Sequence, residues 1–481
     1  MLRIMRRTSG VVILALAAAL GFSSHPAPPQ SETALNSWLV QYRHSADTLV
    51  KAAQSESEGW RRLGQLCTEI GPRLSGSTAY DSAARWAAAR MRDDGLAVST
   101  FPASVPHWER GVEQAEITRP VVQRLSILGL GGTVATPPDG ITARVTAVRS
   151  FEELGALGEA KVHGSIVLFN PDYRGYGKTV AYRVRGPSRA ARLGAVATLI
   201  RSIAPAGLDV PHTGQVVYDP DAPAIPAAAL TVSDAESLYA MAKSGEVTVR
   251  LRLGGRTLDD SPCANVVGEI KGRELPEQIV VIGGHLDSWD VGQGAHDDGA
   301  GCVAAMEAAR LILKTGLQPR RTIRVVLWAN EENGLRGADA YRKWIGDGLA
   351  NHVAAIELDS GAEKPLGFGL GSSLAGGPGY AKAFERLRLL SESLQSVEVE
   401  KVFEGGGGAD IGPLVREGTP GLSLRTSGDR YFLWHHSAED TIDKVDPKMF
   451  ARHVAAVAVM CFGIADMPER LDEMIRLTTD N

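Results

Sequence analysis

Through the second half of the chain, short apolar runs recur, each followed within a few residues by glycine and by acidic or histidine side chains. QIVVIGG (Gln278 to Gly284), TIRVVLWA (Thr322 to Ala329), VAAIEL (Val353 to Leu358) and GLSLR (Gly421 to Arg425) are apolar on both alternating faces or nearly so. That is the pattern of strands covered on two sides. Between them CVAAMEAARLILK and RGADAYRKWI carry apolar residues at helical spacing, and Lys448 to Ile464 closes the chain as an apolar helix. The repeat of strand, loop and helix predicts an α/β fold: a mostly parallel mixed sheet flanked by helices.

The first half reads differently. Ser45 to Asp94 is predicted to be largely helical, with the amphipathic run YDSAARWAAARMRDDG stopped by Gly95. From Gly111 to Gly255, short β-type runs (RVTAVRS, GSIVLFN, TVRLRL) alternate with Pro/Gly turns and one helical run, GPSRAARLGAVATLIRS. This block contains no cluster of metal-type ligands and reads as a separate β-rich domain. A chain of 481 residues is longer than one ordinary core supports. More than one domain is therefore expected, with residues 111–255 forming a unit apart from the flanking residues 28–110 and 256–481.

Residues 1–27 have the make-up of a signal peptide: Arg3, Arg6 and Arg7, the apolar run Val11 to Phe22, then small and turn-forming residues up to Pro29. The run is short of the roughly 20 apolar residues a spanning helix needs, so no stable membrane span is expected after cleavage. No Cys follows it to accept a lipid. No Asn-x-Ser/Thr sequon occurs, which favours a bacterial envelope, and the expectation is an exported protein, periplasmic or secreted.

Composition changes little. Hydrophobic content of 44% and charge of 22% are ordinary for globular chains, and a net charge of −5 without a dense basic stripe excludes nucleic acid as partner. The four cysteines have no Cys-x-x-Cys spacing. Cys302 and Cys461 lie in apolar helical stretches and are expected as buried free thiols.

In an open α/β sheet, ligands bind beyond the carboxyl ends of the strands. After the first run stand His285 and Asp287, then Asp297 and Asp298; after the second, Glu331 and Glu332; after the third, Asp359; after the fourth, His435 and His436. Any one of these alone is commonplace, a hydrogen-bonded turn or a solvated surface. Together they bring imidazole and carboxylate to one edge of the sheet, which is a metal site. Calcium takes oxygen ligands and rarely histidine. Imidazole with carboxylate suits zinc, with manganese or cobalt as substitutes. The ligand set exceeds what one catalytic zinc uses and fits two metals about 3.5–4 Å apart sharing a carboxylate and a water. Neighbouring Glu331 and Glu332 in extended chain point to opposite sides, so both cannot serve one metal.

IGGHLDSWDVGQGAHDDGAG, WANEENG, ELDSGAE and FLWHHSAEDT resemble the co-catalytic zinc aminopeptidase and carboxypeptidase family. SVPHWERG, FNPDYRGYG, PHTGQVVYD and IPAAALTV extend the likeness from roughly Trp60 to Met467. The resemblance implies a zinc exopeptidase fold, an inserted protease-associated domain at residues 111–255, a peptide substrate with a free N-terminus, and a homodimer. It also implies two zinc ions per chain: His285 and Asp359 on one, Glu332 and His436 on the other, and Asp297 bridging, with a cis peptide after the bridge. Asp287 would accept the other ring N–H of His285, and Glu331 would be the general base that deprotonates a metal-bridging water. His436 is chosen over His435 because it stands four residues before Asp440, as the family pattern requires. His435 is then an orienting or substrate-side residue, and His296 and Asp290 are loop residues. The Gly-rich FEGGGGADIGP (Phe403 to Pro413) aligns with a substrate-lining loop, which makes Gly408 and Asp410 substrate-side candidates, Asp410 for a substrate amino group. Gly407 and Ala409 stand where a member of the family carries Glu and Thr, which puts that relative's substrate preference in doubt for this chain. Two alternatives share the fold: a mono-zinc glutaminyl cyclase-like acyl transfer, and a non-catalytic receptor or scaffold.

Overall fold

The computed structural model describes residues 32–476; the signal-peptide expectation for residues 1–27 lies outside the described residues. The main sheet has eight strands: β1 (Ala97–Glu109), β2 (Arg256–Ile270), β3 (Leu275–His285), β4 (Arg321–Trp328), β5 (His352–Glu357), β6 (Pro365–Gly371), β7 (Lys401–Glu404) and β8 (Gly421–Thr426). Their spatial order is β1-β2-β4-β3-β5-β8-β6-β7. The centre, β4-β3-β5-β8, is parallel; β1 is antiparallel to β2, β2 to β4 and β6 to β8, and β7 pairs in parallel with β6 at the edge. Ile282 sits opposite Val325 on one side and Ile356 on the other, and Ile356 opposite Leu422. The apolar runs therefore stack in register and bring their carboxyl ends to one edge.

Helices cover the sheet as the apolar spacing requires. Ala300–Lys314 and Pro447–Asp466 bury most of their residues. Pro447–Asp466 is long and apolar enough to cross a membrane by composition, yet its Val454, Val457 and Met460 are core residues packed with Leu49 and Val303. At the N-terminal side stand Glu32–Ser55, Glu58–Gln65 and Thr78–Asp93, the last followed by Gly95 at φ +92°. All four cysteines are buried free thiols.

Residues 113–253 leave the main sheet after β1 and return at β2. They form a second eight-stranded sheet, centred on the parallel strands Ile141–Val148, Ile166–Phe169, Ala197–Arg201 and Ala227–Leu230. The expectation of a β-rich unit with one helix needs correction: of the run read as that helix, GPSRAARLGAVATLIRS, only the part up to Ala191 is helical, and Ala197–Arg201 is a buried strand of the sheet. Helices Phe151–Val162, Ala181–Ala191 and Val232–Ser244 flank this sheet, and it buries a core on each face. The first is started by Ser150, whose hydroxyl accepts from Glu153 N while Glu153 reaches back to Arg149 N. This capping arrangement starts the helix in spite of its glycines, although the chain kinks at the second of them, Gly158, at φ +62°.

Candidate metal centre

Each central strand delivers its polar residues at its carboxyl end. His285 is the last residue of β3, Glu331 and Glu332 follow β4, Asp359 follows β5, and His435 and His436 follow β8 after a short helix, Tyr431–Trp434. The returning loop brings Asp297 back beneath His285, with a cis peptide between Asp297 and Asp298 as expected. The two Asp297 carboxylate oxygens face different partners. Oδ1 lies 3.2 Å from His285 Nε2, and Oδ2 lies 3.3 Å from His436 Nε2. His285 Nε2 is also 3.8 Å from Asp359 Oδ1, and His436 Nε2 is 3.1 Å from Glu332 Oε2. The arrangement is two histidine–carboxylate pairs joined through one aspartate. Asp297 with His285 and Asp359, and Asp297 with His435 and His436, each place ligand atoms within 4.8 Å of one another.

The donor set fits divalent metal. His285 Nε2, Asp297 Oδ2 and Glu332 Oε1 are buried without a hydrogen-bond partner, a costly state for polar atoms with nothing to bind. His285 Nδ1 donates to the Asp287 carbonyl oxygen at 3.0 Å, which leaves the Nε2 lone pair facing Asp297. His436 Nδ1 lies 3.4 Å from the Thr213 carbonyl oxygen. Burial, then the neighbouring Asp359, Asp297 and Asp287, pushes the Glu331 carboxyl up to about 8. Burial with Asp297 close by holds Glu332 well above the carboxylate range. Burial lowers His435 and His436, and Arg183 lowers both further. Burial would also depress His285, but the Asp297 and Asp359 carboxylates hold it high. Crowded carboxylates that resist ionisation are the electrostatic signature of a cation's place.

Several expected residues sit differently. The Asp287 side chain is 3.8 Å from His285 Nδ1, too far to orient it. The Asp287 backbone carbonyl takes that role, and the carboxylate instead accepts from Glu331 N at 3.2 Å and Glu332 N at 3.4 Å, fixing the turn that carries them. His296 is a buried histidine that the packing of its own loop holds: its Nδ1 accepts from Ala362 N and its ring packs on Trp434, while its Nε2 has no hydrogen-bond partner. Asp290 forms a two-pronged ion pair with Arg110, at 2.7 Å for each bond. Asp410 is buried with no hydrogen bond to either oxygen, and burial together with Glu357 holds its carboxyl well above the usual range. A Cβ on Gly408 would stand 2.0 Å from Glu357 Oε1, so the Gly-rich loop passes directly over that carboxyl. His435 stacks on His436 at 3.6 Å between ring centroids, and its Nε2 is 3.5 Å from Asp297 Oδ2.

A profile of peptidase family M28 matches residues 265–461. Carboxypeptidase Q of Mus musculus is 40% identical over 438 residues, covering 90% of this chain and 92% of that one. The chain belongs to peptidase family M28. Human carboxypeptidase Q is likewise 40% identical, over 87% of each chain. Among solved structures, a peptidase M28 precursor from Shewanella amazonensis SB2B superposes with a TM-score of 0.85 at 35% identity, covering 90% of this chain and 98% of that one. A zinc aminopeptidase from Bacillus subtilis shares the fold at 19% identity with a TM-score of 0.64.

The peptidase is thus a metallo-exopeptidase similar to carboxypeptidase Q. Sequence reasoning missed the part of this M28 site that comes from outside the matched stretch. The inserted unit grips the His435-His436 segment: Thr213 N donates to His436 O at 2.8 Å, and His212 Nδ1 donates to His435 O at 2.6 Å. Arg183 Nη1 lies 3.2 Å from His436 Nδ1, and Tyr176 packs edge-on against His435. These contacts hold His436 at φ +60°, a backbone conformation non-glycine residues enter only when their surroundings impose it. Trp289 of the metal loop fills the space a Cβ on Gly131 would occupy. PHTGQVVYD and FNPDYRGYG, quoted above for their family likeness and holding His212, Thr213 and Tyr176, were the available signals of this interface.

Proposed function

We propose that this M28 peptidase is an exported di-zinc exopeptidase that hydrolyses dipeptides or short peptides with a free N-terminus. The observation that carries the two-metal reading is Asp297, whose separate oxygens face His285 at 3.2 Å and His436 at 3.3 Å. In this reading His285 and Asp359 hold one ion, Glu332 and His436 the other, and Asp297 both. His436 is preferred to His435 because it alone of the pair lies within 4 Å of Glu332. Zinc, when bound, polarises a carbonyl and brings the pKa of water down toward about 7. Glu331 takes the proton of the attacking water and passes it to the leaving amine. Asp287 serves by tying down the backbone of Glu331 and Glu332. Gly408, Asp410 and His435 form the wall on the substrate side. Asp410 is enclosed there, so meeting a substrate amino group requires that it ionise against the cost of burial.

Residues 113–253 act in this reading as a protease-associated domain that completes the site rather than a detached module, supported by the hydrogen bonds to His435 and His436. Export to the periplasm or medium rests on the composition of residues 1–27; a homodimer rests on the family alone. The test is a dipeptide panel against purified protein with zinc quantified in the same sample. Two zincs per chain and chelator-sensitive dipeptide hydrolysis are expected. One zinc per chain, or hydrolysis that persists after chelation, overturns the reading.

A further inference from the structure

Arg73 lies in the turn after Glu58–Gln65 and its short π-helical extension, far in sequence from the stretch that defines the family. Its side chain is fully buried. Among the described residues it forms no ion pair. All its hydrogen bonds go to backbone carbonyls. Nε donates to Leu286 O at 2.6 Å, Nη1 to Gln293 O at 2.8 Å and to Gly71 O at 3.2 Å, and Nη2 to Gly294 O at 2.9 Å. The main chain adds to the grip: Arg73 N donates to Ser288 Oγ at 3.1 Å, and Ser288 N to Arg73 O at 3.4 Å.

The positions of these carbonyls matter. Leu286 directly follows His285, and Gln293 and Gly294 stand just before Asp297. One planar guanidinium therefore spans both ends of the loop that separates a terminal ligand from the bridging carboxylate. Arginine suits this task because its N–H groups point outward in a fixed fork; a lysine ammonium is a compact charge that cannot reach both ends at once. A Cβ on Gly294 would meet Arg73 Nη1 at 2.8 Å and one on Gly299 would meet Nη2 at 3.2 Å, so both glycines leave room for it.

We propose that Arg73 is a positioning residue of the metal centre: it sets the separation of His285 and Asp297 and so prearranges the site for its ions. This inference rests on the two-zinc reading above. Groups that orient metal ligands typically cost about 10–100-fold in metal affinity when removed. Zinc would be titrated into the metal-free wild type and the variants R73K, R73M and R62M against a chromophoric chelator, with folding of each metal-free chain checked by circular dichroism. R62M is the control, since Arg62 is a buried arginine of the same segment whose partners, Asp94 and Glu307, lie away from the metals. R73M is expected to weaken zinc binding about 10–100-fold and R73K to weaken it less, while R62M loses thermal stability but keeps wild-type zinc affinity. Should R73M not fold, R73K carries the comparison. Wild-type zinc affinity in the folded Arg73 variants, or equal loss of affinity in R62M, overturns the proposal. Wild-type protein that takes up only one zinc overturns the two-metal reading instead.

Discussion

Glu331→Gln removes one ionisable oxygen and almost nothing else. The side-chain volume is kept, and the backbone N–H that donates to Asp287 Oδ1 at 3.2 Å is untouched. Glu331 lies among Asp359, Asp297 and Asp287, where burial and their charges push its carboxyl up to about 8 in the metal-free chain. A neutral glutamine therefore relieves repulsion, and folding and zinc uptake should not suffer. Turnover should. General acid–base catalysis contributes about 10²–10⁴-fold, which at about 1.36 kcal/mol per tenfold is about 3–5 kcal/mol of barrier. The assay is kcat/KM on a dipeptide with zinc measured in the same preparation; unchanged zinc and a fall of at least about 10² are expected. The pH profile adds a separate check. The base must be ionised, and nearby cations lower its pKa, so wild-type activity should rise with pH along a limb below about 8 that the variant lacks. Glu331→Gln with activity within about tenfold of wild type and the same acid limb would refute the role.

His436→Ala should lose one of the two metals by elemental analysis, because His436 Nε2 faces both Glu332 and Asp297; His435→Ala should keep both, since its Nε2 faces Asp297 alone. The reverse pattern would exchange their roles. The metal-free chain should lose thermal stability between about pH 7 and 9. Glu331 has a folded pKa of about 8 against an ordinary 4.5. Its stabilising contribution is therefore complete below 4.5 and lost as pH rises through 8. Glu332 shifts the same way. His435 and His436 are depressed and act oppositely, but only as pH falls below the ordinary histidine value of 6.5. The increase in Tm on adding zinc should accordingly be larger at pH 9 than at pH 7, and a smaller increase would contradict the electrostatic account.

The catalytic half was legible because its signals are local. A strand covered on both faces must be apolar throughout, so Gln278–Gly284 and Val353–Leu358 declare themselves, and the residues that follow such strands fall at one edge whatever the details of packing. The apolar spacing of Arg336–Ile345 likewise matches the helix found there. The inserted unit was harder. Phe151–Val162 carries two glycines, and its start depends on reciprocal hydrogen bonds around Ser150 and Glu153 rather than on periodicity. Asp287 shows the finer limit: that it lies near His285 follows from adjacency, but which of its oxygens the ring meets depends on where the Glu331-Glu332 turn is packed.

Alone, the order of residues determined the α/β frame, the edge at which the site forms, and the histidines and carboxylates offered there, since strand burial and chain direction are properties of short stretches. Only the tertiary structure decided which atoms meet: that Asp297 faces two histidines, that His436 rather than His435 also reaches Glu332, and that Arg73, Arg183 and Thr213 brace these groups from segments far away in the chain. The reason is physical. Hydrogen bonds between distant segments leave no periodic trace, and a buried arginine that donates only to carbonyls answers to backbone shape, which side-chain identity does not encode locally.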